Sequence, residues 1–399
     1  MTAPETTTQR IEITRTMTAP ATKVYTALTQ RNYVVMWFSD DAHLTARVDA
    51  PIQLTWNTGF HVQGVFTALE ANQQVSYTWR DNLSDNTTQV DMHLTGKDAL
   101  TELSLVHSGA MSGEVRQQYE AEWQRVLDNL VSFIEDGADL RIVNRVIIGI
   151  FPGGVPQEIQ DELGLVQGDA VQVTSVLEGM GAANAGLQTG DIILAMDGTA
   201  VTRQTPMFML VQDKMPGDDV EVSYYREGKK HSATMTLSGY PIPDVPENFA
   251  ALGDLYHSQV KQVYTDLAAL FDGSDETQAA AYPAENEWSA NQVLAHLILS
   301  SRDHQGWLSG HISGFHKRTF NSNVHAWVDS IVETYQTSEG LLAALKTTIK
   351  ETVAIMKNRP TTDFEAANLW WATFQSDGNL RHLQSHFPQI VDALAAAKR

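Results

Sequence analysis

Residues 181–201, GAANAGLQTGDIILAMDGTAV, set the middle of the chain apart from both flanks. Small Gly and Ala side chains and a turn lead into an apolar run, Ile192 to Met196, that reads as a strand. Outward on the N-terminal side lie two more strands, VIIGIF (146–151) and AVQVTSVLEGM (170–180). Between them lies the Pro- and Gly-rich insertion 152–169. On the C-terminal side the pattern predicts a helix over QTPMFMLVQDK (204–214), then DDVEVSYYREG and KHSATMTLSG as strands joined at Glu227-Gly228. This segment runs from 141 to 242, and YPIPDVPEN (240–248) closes it, because three prolines resist helix and central strand alike.

Residues 1–140 open with the alternating strand RIEITRTMTA and a short amphipathic helix, PATKVYTALTQ, with Pro20 near its start. Several short strands follow. The segment ends in a long helix, EVRQQYEAEWQRVLDNLVSFIEDG, whose apolar residues recur at three- and four-residue steps and whose Gly137 suits a C-terminal cap. Residues 243–399 read as four long helices or helix clusters, beginning at Asn248, Ser289, His325 and Gly378, with the apolar spacing of a bundle. The fold class is therefore multidomain α+β. The linkers at roughly 140–142 and 240–248 are short, which favours fixed contacts between domains.

The chain has 399 residues and a formal net charge of −21, so no general basic footprint for nucleic acid or an anionic membrane is present. Without cysteine there is no disulfide, thiolate nucleophile or sulfur-ligated metal, and any metal must be held by His, carboxylate or water. The first residues lack an apolar leader core, and no run of about 18 apolar residues occurs. These features set a cytoplasmic location as the expectation.

Two histidines, His382 and His386, fall one turn apart in GNLRHLQSHFPQI (378–390), so their imidazoles project from one helical face roughly 6 Å apart. Pro388 removes the donor to the carbonyl of Gln384 and is expected to kink the helix just after His386. A third histidine, His296, sits about two turns into the helix of NEWSANQVLAHLILS (286–300), with Ser289 at its N-cap. His304, eight residues beyond His296, is a candidate supporting or pocket-lining group, and Asp303, Trp307, Trp370 and Trp371 are candidates for the pocket mouth. His311, His316 and His325 are read as solvated loop residues, and His107 as part of a strand. Two roles fit the triad: divalent-metal ligands, or a hydrogen-bonded polar layer in the bundle core.

Three resemblances follow. Residues 20–29, 36–38, 64–79 and 103–110, with Trp123, make segment 1–140 similar to the SRPBCC (START-like) superfamily, in the branch of the Hsp90 ATPase activator. The resemblance implies a helix-grip domain with a pocket for an apolar small molecule, and Trp37, Phe38, Trp56, Phe66, Trp79 and Trp123 would line it. The alternative is that these rings fill the core. The branch also leaves open a chaperone-linked role. Residues 141–242 resemble a PDZ domain of the HtrA-associated type, a β-sandwich or barrel-like fold that takes up a peptide or protein C-terminus by strand addition. Its carboxylate loop would be Ile147, Ile148, Gly149 and Ile150, side-chain specificity would come from among Met207, Leu210, Val211 and Lys214 on the groove helix, and the insertion 152–169 would be placed to cover or reshape the groove. No serine-protease nucleophile motif accompanies it. Residues 245–399 resemble the DinB-like, or YfiT-like, up-down four-helix bundles. That resemblance implies a divalent metal (Zn, Ni, Fe or Mn) on His296, His382 and His386. Together these imply a cytoplasmic multi-module binding protein, with a metal-dependent hydrolase or thiol-dependent transferase as the alternative. A homodimer through the bundle is compatible with the chain and not required by it.

Overall fold

The structure, a computed structural model, describes residues 7–82, 86–312, 324–359 and 361–396. Its contacts divide the chain into two units, Met1–Ala138 together with Pro243–Arg399, and Asp139–Ile242.

In the N-terminal part of the first unit, strands β1 (Thr7–Met17), β2 (Asp41–Leu44), β3 (Pro51–Thr55), β4 (His61–Glu70), β5 (Gln74–Asp81), β6 (Thr88–Lys97) and β7 (Leu100–Met111) form one antiparallel sheet in the order β1-β7-β6-β5-β4-β3-β2. Helices α1 (Ala21–Thr29) and α2 (Arg31–Trp37) fill the crossover from β1 to β2. Alternation decides the inner face: Ile11, Ile13 and Met17 are buried while Glu12 and Thr14 between them are exposed. The long helix α3 (Gly113–Glu135) starts at Ser112, whose Oγ accepts from the Val115 N–H at 3.2 Å. It buries Trp123, Leu127, Leu130, Phe133 and Ile134 against the sheet. Gly137 ends the turn after it at φ 78°, and a Cβ there would lie 2.3–2.6 Å from backbone atoms of Ala366 and Ala367.

The second unit contains α4 (Leu140–Val143), β8 (Val146–Ile147), β9 (Ile150–Gly153), α5 (Gln157–Leu163), β10 (Val171–Val176), α6 (Gly181–Asn184), β11 (Ile192–Met196), β12 (Thr199–Ala200), β13 (Asp219–Arg226), β14 (Lys229–Thr236) and β15 (Ser238–Gly239). Its main sheet runs β14-β13-β11-β10-β9, with β12 beside β11, and β15 pairs with β8 so that the two ends of the unit meet. The helix expected over 204–214 is a single 3-10 turn, Met209–Val211. The segment closes with three-residue bonds, Met209 N–H to Pro206 O (2.9 Å) and Lys214 N–H to Val211 O (3.1 Å), rather than with an α-helical ladder.

The C-terminal part of the first unit is helical: α7 (Phe249–Ala269), α8 (Glu276–Ala280), α9 (Ala290–Ile312), α10 (Val324–Tyr335), α11 (Ser338–Lys357), α12 (Glu365–Ser385) and α13 (Phe387–Ala396). Helices α7 and α9 each lie against both α11 and α12, which closes a four-helix core. The third expected helix is two, α10 and α11, because Gln336 adopts φ 62° and Thr337 begins a new helix by capping Gly340. The last one starts thirteen residues earlier than expected, at Glu365 rather than Gly378.

Phe364, just before α12, belongs to the core of the N-terminal part. It is 1% exposed, with ring centroids 3.9 Å from Tyr33 and 5.3 Å from Phe133, and Lys23 Nζ sits 5.4 Å over its face. Phe364→Ala is expected to cost about 3–5 kcal/mol. Urea unfolding followed by Trp fluorescence checks this, and an unchanged midpoint would contradict it.

Two buried histidines add a pH dependence. His107 (0% exposed) and His304 (7%) are pushed from the ordinary 6.5 down to about 4 by burial, with Asp81 opposing this at His107. Between those values the unfolded chain binds protons that the folded one does not, so stability is full above pH about 6.5, falls as pH drops towards about 4, and levels off below. Urea midpoints across that window check the slope, which His107→Gln should reduce.

Candidate metal centre and peptide groove

The metal candidate is assembled by three helices. Ser289 and Gln292 cap α9 reciprocally, Ser289 Oγ accepting from Gln292 N–H (3.2 Å) and Gln292 Oε1 from Ser289 N–H (3.1 Å). That fixes the phase that points His296 inward. His382 comes from the last turn of α12, which stops at Ser385; the chain restarts as α13 at Phe387, with Pro388 in the new first turn. The expected kink is thus a full break, with His386 at the joint.

Three Nε2 atoms converge there. His382 Nε2 lies 3.3 Å from His296 Nε2 and 3.1 Å from His386 Nε2, and ligand atoms of all three lie within 4.8 Å of one another. Two bonds of about 2.0–2.1 Å to one ion, at angles near 90–110°, hold nitrogens about 3.0–3.4 Å apart. The two short separations match that span, so this donor set suits a divalent cation with further positions left for water or substrate.

Two of the three outer nitrogens have partners, and the Nδ1 of His296 is buried without one. His386 Nδ1 lies 2.8 Å from Gln389 Oε1, and its Nε2 faces the cluster. His382 Nδ1 lies 2.9 Å from Ser300 Oγ. Burial, then the neighbouring imidazoles of His386 and His382, push His296 down to about 4, and burial followed by His386 lowers His382. Both therefore stay neutral, the form that binds metal.

Not every expected residue joins the site. His304 packs in the core, Nε2 3.3 Å from Ser376 Oγ and its ring 6.1 Å from Tyr256, and belongs to a different layer from the triad. Trp370 and Trp371 cluster with Phe374 and, through Trp371, with Trp307. Eleven residues of α12 separate Trp371 from His382, roughly 16 Å along the axis, so these rings do not form the triad's mouth. Asp303, beside His304 on α9, is likewise not among the cluster's ligands. The wall of the triad is Trp288, 5.1 Å from the His296 ring, with Nε1 donating to His325 Nδ1 at 3.3 Å. His325 stands on α10, not in a loop. His311 lies in α9, and His316 falls outside the described residues. Ser300 and Gln389 were absent from the expected site, yet each is a helical neighbour, four residues after His296 and three after His386.

In the N-terminal part, the six expected lining rings belong to one packed core. Trp37, Phe38, Phe66, Trp79 and Trp123 are buried in the core and Trp56 is packed against it. Phe38 stacks on Trp37 at 5.0 Å and meets Trp56, Trp79 and Trp123 at 5.5–6.5 Å. A cavity beside Trp37 and Phe38 measures about 10 Å³, room for about one water. His107 is held within this core. It accepts from Trp123 Nε1 at Nδ1 (3.0 Å) and donates from Nε2 to Thr88 Oγ1 (2.7 Å), near Asp81, which takes bonds from Trp79 and Tyr119.

In the second unit, the Ile147–Ile150 turn lies between β8 and β9. Gly149 has φ 87°, and a Cβ there would lie 2.4 Å from the Met180 side chain. The carbonyls of Ile148 and Gly149 accept from Ala182 and Leu177, while among the described residues their own N–H groups donate to no backbone acceptor. Ile148, Ile150, Met207 and Leu210 are half-buried together. Val211 is not a groove residue, since it is 4% exposed inside the core, and Lys214 pairs with Asp197 at 2.6 Å. The insertion also misses this side: Ile159 and Leu163 of α5 pack on Ile192 and Tyr225, whereas Met207 and Leu210 pack with Ile193 and Tyr224, on the opposite face of the same strands.

Comparison with known proteins agrees with two of the three segments. Residues 18–135 match the family described as "Activator of Hsp90 ATPase homolog 1-like protein", and residues 155–237 match the PDZ domain. Among curated proteins, "Serine protease Do-like HtrA" of Lactococcus lactis is 43% identical over 68 residues, 17% of this chain and 17% of that protein. A "Probable periplasmic serine endoprotease DegP-like" of Marinomonas sp. is 28% identical over 99 residues, 25% of this chain and 21% of that protein. The matches thus span about a fifth of each relative. Among solved structures, the Aha1 dimer from Colwellia psychrerythraea is 21% identical, covers 32% of this chain and 96% of its own, and has a TM-score of 0.30. The chain is therefore a multidomain protein of mixed helix-grip, sheet and helical segments. Its first segment is an AHSA1-like domain of SRPBCC fold and its second a PDZ domain. Among the described residues no helix is long and apolar enough to cross a membrane.

If Gln389 and Ser300 orient the triad, Gln389→Ala and Ser300→Ala should each weaken divalent-ion affinity about 10–100-fold while leaving the helical circular dichroism unchanged. Isothermal titration with zinc or nickel measures this, and unaltered affinity in both variants would remove the orienting role.

Proposed function

We propose that this chain is a multi-module binding protein: a PDZ groove for the C-terminus of a peptide or protein, a helix-grip domain of a ligand-binding type, and a DinB-like bundle that holds a divalent metal on His296, His382 and His386. The observation that carries the reading is the convergence of the three Nε2 atoms, two pairs at 3.1 and 3.3 Å, on imidazoles whose burial keeps His296 and His382 neutral. Imidazole nitrogens suit zinc, nickel and iron. The PDZ assignment is supported by the edge strand β9 and the unbonded N–H groups of Ile148 and Gly149. An apolar ligand entering beside Trp37 and Phe38 would have to open the stack around Phe38, because the cavity there measures about 10 Å³.

A second reading, metal-dependent hydrolysis or thiol transfer, is favoured by the same geometry. A cation held by three imidazoles retains positions at which water or an external thiol can be activated when the metal is bound. Trp288 and the His325 to which it donates would then flank the substrate.

Elemental analysis of untagged protein, beside a His296/His382/His386 triple-alanine variant, tests the shared premise. Stoichiometric metal in the parent and none in the variant is the expected result. Metal absent from both after incubation with divalent ions would leave the cluster as a polar layer of the bundle. Turnover in a hydrolase and thiol-conjugation screen that vanishes in His382→Ala would select the enzymatic reading.

A further inference from the structure

The open edge of the PDZ sheet is shorter, in hydrogen-bonding terms, than its strand. Strand β9 ends the sheet and, among the described residues, pairs only with β10. Ile150 stands opposite Val176, and the bond beside that pair runs from Leu177 N–H to Gly149 O (2.8 Å). In an antiparallel ladder this makes Ile150–Val176 a pair without direct bonds, so the N–H and C=O of Ile150 point to the open side. Phe151 has the other phase, and its carbonyl accepts from Thr174 Oγ1 of β10 at 3.0 Å. The next residue facing outward is Pro152, opposite Val173. It offers a carbonyl and no N–H.

A peptide whose carboxylate sits on the N–H groups of Ile148, Gly149 and Ile150 must run antiparallel to β9. Its last residue donates to Ile150 O. Two residues upstream, the peptide must exchange an N–H and a C=O with Pro152, and only the first finds a partner. Beyond lie Gly153 and Gly154, which present no side chain to read, and Val155, which turns into the core. The side chains near the start of the edge, Ile148, Ile150, Met207 and Leu210, are apolar.

We propose, building on the peptide reading above, that this groove recognises only the last two or three residues of a chain terminus, through a free carboxylate and an apolar final side chain, and is indifferent to the sequence upstream. Pro152 is the specificity-determining residue that truncates the ladder.

The test uses the full chain and a series of di-, tri-, hexa- and decapeptides sharing one C-terminal sequence that ends in Val or Leu, with C-terminally amidated controls, read by calorimetry. The expected result is affinity constant within about threefold from tripeptide to decapeptide, lost on amidation, with Pro152→Ala improving every peptide that carries the third-from-last carbonyl about fivefold for the restored bond and leaving the dipeptide unchanged. Affinity rising tenfold or more from tripeptide to hexapeptide in the parent would overturn the truncation while the peptide reading stands. So would a Pro152→Ala variant in which the gain from dipeptide to tripeptide is unaltered. Failure of free acids of every length to bind would remove the peptide reading and the proposal with it.

Discussion

Burial of Phe364 is the contact on which the larger unit depends. Its neighbours Tyr33 and Phe133 come from a segment more than two hundred residues earlier, so the ring closes a very long loop. The entropic cost of such closure grows slowly with length, and a fully buried aromatic ring is among the few single contributions able to offset it. Gly137 belongs to the same constraint, because only a residue without a Cβ lets the end of the α3 turn lie on the backbone at Ala366 and Ala367. A consequence for the middle of the chain is topological. The PDZ segment departs from this unit and returns to it, and the pairing of β8 with β15 brings its own two ends together.

Periodicity made the helix-grip and PDZ segments legible because their strands are half-buried and alternate. It failed at α12 for a physical reason. That helix buries Asn368, Thr373, Ser376 and Asn379 beside Leu369, Ala372, Leu380 and Leu383, so no apolar stripe marks its first half. Three of the polar members find partners inside the bundle: Tyr256 OH donates to Asn379 Oδ1 (2.8 Å), and Ser376 and Thr373 donate to carbonyls one turn back. Such partners come from other helices or the backbone and leave no trace in local spacing. The 204–214 segment failed in the opposite sense. Its apolar residues Met207, Leu210 and Val211 have helical spacing, but the backbone there turns through three-residue bonds and only Met209–Val211 is helical, as a 3-10 turn.

Of the histidine cluster, the sequence shows the pair His382 and His386, whose spacing is local, and the pairing with His296 rests on resemblance, since no spacing rule joins residues on separate helices. Ser300 and Gln389 lie one turn from a ligand and were open to the same helical argument that selected His386. His304 shows the limit of that argument. Eight residues advance an ideal helix by about 80° beyond two full turns, enough to carry its imidazole from the cluster towards Ser376.

Helix α12 ties these observations together. Its N-terminal end is fixed by Phe364 in the helix-grip core, and its C-terminal end carries His382, roughly 27 Å away along the axis. A helix anchored at both ends by packing has little freedom to rotate, and a rotation of one residue would swing His382 about 100° away from His296. The break at His386 supplies the adjustment a straight helix lacks, since it lets the second ligand of the pair settle against the first without moving the anchored part. Fixed phase at His382 and local freedom at His386 together explain how residues four apart bring their Nε2 atoms to 3.1 Å.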